Sequence, residues 1–156
     1  MESINSRNAL NTFLLDDTIN KISVIKFSTP WCGPCKILTP LLDSFNVTPI
    51  PEPTPPYLTD KEKIEYIEYR MAMKTYMPAS MGTIDIDQNP ELGKIYNITT
   101  VPTTLFFFNG TQIFPEQNPD PGATSYSFVA PQETLIGLYP KGAYENIMKN
   151  MLRRFY

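Results

Sequence analysis

The chain has 156 residues, 42% of them hydrophobic and 19% charged, with a formal charge of −3. That balance suits one soluble globular domain whose core stands without disulfide staples, and it offers no basic footprint for nucleic acid. Histidine is absent and there are two cysteines, which excludes histidine acid–base catalysis, mixed Cys/His zinc sites and a closed zinc site within one chain, leaving open only a metal shared across a dimer.

The N-terminus, Met1-Glu2-Ser3-Ile4, lacks the basic and long apolar regions of a secretory signal, and no later stretch approaches a membrane span. A cytoplasmic, reducing location and no membrane partner are the expectations. After the candidate cap Ser6, Leu10, Phe13 and Leu14 recur at helical spacing, which predicts an amphipathic helix over residues 7–17. Ile22 to Ser28 is β-branched and mostly apolar and reads as a buried strand. It runs directly into Trp31-Cys32-Gly33-Pro34-Cys35-Lys36, which holds both cysteines. Cysteines confined to a C-x-x-C unit in a reducing compartment point to catalysis or metal binding rather than to a structural staple. From Pro34 the apolar pattern Ile37, Leu38, Leu41, Leu42, Phe45 is helical, with Pro34 tolerated near the start and Pro40 predicting a kink.

Residues 46–80 open with Pro49, Pro51, Pro53, Pro55 and Pro56, which favour extended backbone; Thr59 to Glu62 then forms a capping box ahead of an Ile64, Ile67, Met71 stripe. Residues 83–87 alternate as a strand, and residues 90–96 predict a short helix with Leu92 and Ile95 inward. Residues 101–108 form a strong strand ending in the hairpin signal Asn109-Gly110. Residues 114–132, with Pro115, Pro119, Pro121 and Pro131 around a short strand at 125–129, read as a long loop. A strand through Leu135 and Ile136 and a helix presenting Tyr144, Ile147, Met148 and Leu152 close the chain, with Arg153 and Arg154 suited to the helix's C-terminal dipole. The order is β-α-β-α-β-β-α, with an extra strand possible at the N-terminus.

Three separated segments resemble the thioredoxin family in order: the stretch from Phe27 to Pro40 around Trp-Cys-Gly-Pro-Cys-Lys, then Ile86-Asp87-Gln88-Asn89-Pro90, then Val101-Pro102-Thr103 leading to Phe107 and Asn109-Gly110. Gly137, with Lys141-Gly142 before the last helix, resembles the family's end. The resemblance covers about two thirds of the chain, and the two proline-bearing stretches account for nearly all the rest. It implies an α/β, thioredoxin-like fold, a central mixed sheet flanked by helices. Residues 1–156 would form a single domain, carrying a proline-rich plus helical insertion at 46–80 and a long insertion at 114–132 in the C-terminal β-hairpin. Both insertions are expected at the pole opposite the cysteines, where the Ile64, Ile67, Met71 stripe would be covered by Phe114, Tyr126 or Phe128.

The resemblance further implies a thiol–disulfide oxidoreductase reducing protein disulfides, with Cys32 as nucleophile at a helix start and Cys35 as resolving cysteine, the two forming the redox-active disulfide. Gly33 and Pro34 would restrict the turn, a pairing that accompanies reducing members of the family. Pro102 would be a cis-proline that turns the backbone of Val101 toward an extended substrate segment. Trp31 would pack beside Cys32 and offer a flat apolar contact. Gly137 is either a close-approach position or a simple turn glycine. The family's buried acid beneath the cysteines falls at Lys26, and its facing lysine at Thr83. Strand alternation suggests that Asp85 reaches diagonally to Lys26. Lys26 is then a cation favouring a thiolate, a proton acceptor, or a lysine whose charge snorkels to the surface. Expected partners are disulfide-containing proteins and a thioredoxin reductase or equivalent electron donor; neither metal nor cofactor is implied. The alternative is a thioredoxin-fold adaptor whose insertions bind a dedicated partner and whose dithiol is regulatory.

Overall fold

In the computed structural model, residues 1–15, 22–45, 57–72, 79–114 and 135–155 are described, with the backbone alone at 67–72 and 152–155. The expected strand at 125–129, the side chains of Ile67, Met71 and Leu152, and Tyr126 and Phe128 lie outside the described residues.

Strand β1 (Glu2–Ser3) leads to helix α1 (Arg7–Leu14), whose cap is Ser6: its hydroxyl accepts from the Ala9 amide at 3.0 Å. Strand β2 (Ile22–Ser28) is buried almost throughout and feeds helix α2 (Gly33–Asp43), which holds Pro40 within it. Helix α3 (Asp60–Ala72) begins with a reciprocal capping box. The Thr59 amide donates to Glu62 Oε2 at 2.7 Å and the Glu62 amide to Thr59 Oγ1 at 3.3 Å, bonds that hold the Glu62 carboxyl below its usual range. Then come β3 (Ala79–Asp85), α4 (Pro90–Ile95), β4 (Thr103–Phe108), β5 (Thr111–Ile113), β6 (Leu135–Ile136) and α5 (Lys141–Phe155), against which α3 lies.

The sheet order is β1-β3-β2-β4-β5, with β6 also paired to β4; β1, β2 and β3 run parallel, and β4 runs antiparallel to β2, β5 and β6. Alternation along β2 splits the core. Ile22 and Val24 face α2 and α5 with Leu38, Leu42, Tyr144 and Met148, while Ile25 and Phe27 face α1 and α4 with Phe13 and Leu92.

Three features differ from the sequence expectations. β3 starts at Ala79 rather than 83, because its first residues pair with Ile22 to Ile25 of β2. Ile95 is 47% exposed while Leu92 is buried: three residues of helix turn a side chain about 60° short of a full circle, so the two do not share one face of the six-residue α4. The edge strand beside β4 is interrupted in its middle, since Ile113 stands opposite Phe106 and Leu135 opposite Thr104, with only Leu105 between. β5 and β6 are therefore successive pieces of one lane, which the chain leaves and rejoins partway along the sheet rather than at the hairpin pole. The Asn109-Gly110 turn is intact, both residues left-handed at φ 48° and 84°, as a tight two-residue hairpin requires.

Candidate active site

The C-terminal ends of parallel β2 and β3 and the N-terminal end of antiparallel β4 fall at one end of the sheet, so the segments beyond them converge there. After β2, Cys32 takes an extended conformation (φ −81°, ψ 111°) and caps α2. Its sulfur accepts from the Cys35 amide at 3.2 Å, so one of the helix's unpaired first-turn N–H groups is aimed at it. Pro34, within the first turn, has no amide to leave unsatisfied there. The Cys32 amide donates to the Thr29 carbonyl at 3.3 Å, fixing the turn from the strand side. Cys32 and Cys35 form a disulfide with their Cα atoms 5.3 Å apart, and both are buried.

Trp31 is 72% exposed, with its indole N–H donating to Asp87 Oδ2 at 3.0 Å, so the loop after β3 holds the ring in place over the surface. The Val101–Pro102 peptide is cis. The Pro102 carbonyl accepts from the Gly137 amide at 2.8 Å, which ties the end of β6 to the start of β4. Gly137 has φ 99° and open space where a side chain would project. Its carbonyl accepts from the Tyr144 hydroxyl at 3.5 Å, and that hydroxyl accepts from the Tyr139 amide at 3.2 Å; burial pushes the Tyr144 phenol up. Gly33 likewise has nothing within 4 Å of a would-be Cβ, so both glycines border open space.

Lys26 is 4% exposed, which removes the snorkelling reading. On the face covered by α2 it stands between Thr83 of β3 and Thr104 of β4. Its ammonium donates to Thr39 Oγ1, whose own proton goes to the Cys35 carbonyl at 3.0 Å. Burial pushes the Lys26 amine down from its usual range, and the Asp43 carboxylate opposes that shift. Asp85 does not play the part expected of it. Its Oδ1 accepts from the Asp87 amide at 2.9 Å and the Gln88 amide at 3.4 Å, capping the turn at the end of its own strand; the carboxylate acting on Lys26 is Asp43, in the last turn of α2. Thr39, Asp43 and Asp87 are the participants that sequence reasoning missed. Cys35, Thr39 and Asp43 do share a face by their spacing of four, a signal available in the sequence.

The family model described as Thioredoxin matches residues 5–49. The chain is 28% identical over 89 residues to the thioredoxin of Rickettsia felis, a match spanning 57% of this chain and 60% of that one. It is 24% identical over 129 residues to the chloroplastic M-type thioredoxin of Spinacia oleracea, spanning 83% of this chain and 46% of that one. A solved mutant thioredoxin from Halobacterium salinarum superposes with a TM-score of 0.59 at 19% identity, over 96% of this chain and 88% of that one, a likeness of fold. The chain resembles the thioredoxin family in sequence and shares its fold. It spans less than two thirds of the length of the two curated relatives just named. The Cys32–Cys35 disulfide sits at a helix start, where the dipole and the unpaired amides favour negative charge on Cys32. Among the described residues no helix is long and apolar enough to cross a membrane.

Proposed function

We propose that the protein is a thiol–disulfide oxidoreductase that reduces protein disulfides by dithiol–disulfide exchange. The observation that carries this reading is the Cys32–Cys35 disulfide at the cap of α2, with the Cys35 amide aimed at the Cys32 sulfur. In the reduced protein the same amide and the helix dipole favour a Cys32 thiolate. That thiolate attacks one sulfur of the substrate disulfide, forming a mixed disulfide and expelling the other substrate sulfur as a thiolate. Cys35 then attacks the Cys32 sulfur; the Cys32–Cys35 bond forms, the mixed bond breaks, and the substrate leaves as a dithiol two electrons richer. Gly33 and Pro34 limit the freedom of the turn through which the two sulfurs meet. Trp31, Val101, Pro102 and Gly137 border the place where an extended substrate segment would lie, and the empty space over Gly33 and Gly137 supports that reading.

A thioredoxin reductase or an equivalent dithiol donor would return the disulfide to the dithiol, in the cytoplasm or a comparably reducing compartment. The insertion expected at 46–80, which must end before β3 begins at Ala79, and the one expected at 114–132 belong to this single domain and leave the exchange reaction to the dithiol pole.

Reduction of insulin with a dithiol donor tests the reading. The intact protein accelerates insulin reduction over the donor alone, Cys32→Ser abolishes the acceleration, and Cys35→Ser accumulates a mixed disulfide with the substrate. An intact protein no faster than donor alone would sink the proposal. Deleting residues 48–78 should leave the acceleration largely intact, and its loss in a still-folded protein would tie that insertion to the reaction.

A further inference from the structure

Beneath α2, in a fold whose family carries a buried acid at this position, stands a buried lysine. The Thr39 hydroxyl has one proton, and a carbonyl can only accept, so that proton is committed to the Cys35 carbonyl and the oxygen's lone pairs are left for Lys26. The direction of the chain is thereby fixed: Lys26 ammonium to Thr39 hydroxyl to Cys35 carbonyl. Cys35 and Thr39 are one helical turn apart on one face of α2, which places the cation within a turn of the resolving cysteine in a site shielded from water. The groups facing Lys26 are few. From α2 come Thr39 and Asp43, with the Met1 amino group 2.9 Å from Asp43 Oδ1. β3 and β4 contribute Thr83 and Thr104, and α5 brings the Tyr144 hydroxyl beside Thr104. Among the described residues, the carboxylate that acts on Lys26 is Asp43.

We propose that Lys26 is a positioning residue for Cys35: its buried ammonium, tied through Thr39 to the Cys35 carbonyl, favours the Cys35 thiolate and makes the dithiol a weaker reductant than a carboxylate at this place would. The inference rests on the exchange reaction proposed above and concerns its second half. In resolution Cys35 must give up its proton as it attacks the Cys32 sulfur, and the departing substrate sulfur takes a proton up; a nearby cation eases that loss without acting as a base. The same charge stabilises the reduced state wherever Cys35 is ionised. Two electrons from a donor dithiol break the S–S bond, and fewer protons need be bound to keep it open.

Titration of Cys35 decides the matter, read as thiolate absorbance in a Cys32→Ser background so that Cys35 is the only thiol. Lys26→Met should raise the Cys35 titration by about one pH unit. Lys26→Arg should restore it, and Thr39→Val should move it less than Lys26→Met does, in the same direction. In the two-cysteine protein equilibrated with glutathione at pH 8, Lys26→Met should shift the constant toward the protein disulfide by up to about tenfold, or about 30 mV. Two glutathione thiols supply the electrons there and leave as glutathione disulfide. An unchanged Cys35 titration in Lys26→Met, or in Lys26→Gln if the first variant does not fold, overturns the proposal whatever happens to the melting temperature. Because the titration involves no substrate, it stands apart from the insulin assay: absent turnover with a shifted titration would count against the proposed function and not against Lys26.

Discussion

Two rows of side chains, one pleat apart on the same face of the sheet, have opposite character. Toward the hairpin pole Val24 stands between Met81 and Phe106, all three buried; toward the dithiol Lys26 stands between Thr83 and Thr104. One helix covers both rows, α2 laying Leu38 and Leu42 into the first cluster and Thr39 onto Lys26. Burying apolar surface is what holds such a layer together, and burying an ammonium opposes it. The contrast assigns the far row to stability and the near row to the chemistry of the adjoining cysteine.

Phe106→Ala gives that division its largest test. Removing a fully buried aromatic ring should lower stability by about 3–5 kcal/mol in denaturant titration. The Cys35 titration of the folded variant should not move. A shifted thiol would mean that the two rows are not separable.

The apolar row and the strands that carry it were open to reading from residue types alone. Ile22 to Ser28 and Thr103 to Phe108 are β-branched or aromatic runs that have few alternatives to a buried strand. The motif around Cys32 was equally plain, because Pro34 and the apolar spacing behind it mark a helix start. The polar row was not, because a hydrogen bond from Lys26 to Thr39 depends on how α2 lies across β2, and strand alternation alone pointed to Asp85. Asp85 was drawn off by a purely local competitor, the two amides of its own turn. The first half of β3, Ala79 to Gly82, has weak intrinsic strand preference and is a strand because β2 lies beside it. The interrupted edge lane escaped detection for a related reason: residues 113 and 135 are neighbours in register only once β4 is there to measure them against.

The two left-handed glycines put the contrast between the poles on a second footing. Gly110 at the hairpin and Gly137 beside Pro102 have φ 84° and 99°, so an alanine at either should cost about 1–2 kcal/mol in backbone strain. At Gly110 the new methyl would also sit 2.7 Å from Leu15 Cδ2, whereas at Gly137 it meets nothing. Gly110→Ala should therefore lose more stability and leave the KM for a protein disulfide unchanged. Gly137→Ala should lose less stability and raise that KM, since the methyl projects into the space assigned to substrate. Equal KM values in the two variants would detach Gly137 from substrate binding.

The smallest effect separates the rows by sign. Where Phe106→Ala destabilises, Lys26→Met should stabilise by about 1 kcal/mol at pH 7, near the low end for replacing a buried charge because Thr39 loses its donor. The sign follows from the direction of the Lys26 shift. Burial lowers its folded-state pKa below the unfolded value, so at pH values under both the native state carries the full penalty of a buried ammonium. Between the two values the unfolded chain holds a proton that the native state has released, and wild-type stability rises with pH. Above the ordinary lysine value neither state is charged and the penalty is gone. The advantage of Lys26→Met should thus be greatest at neutral pH and fade as pH climbs toward about 10. Tyr96 and Tyr144, whose phenols burial pushes up, titrate in both proteins and cancel in the difference. An advantage already falling by about 1.4 kcal/mol per pH unit at pH 7 would mean that Lys26 has released its proton in the native state there, and the cationic role beneath Cys35 would fall with it.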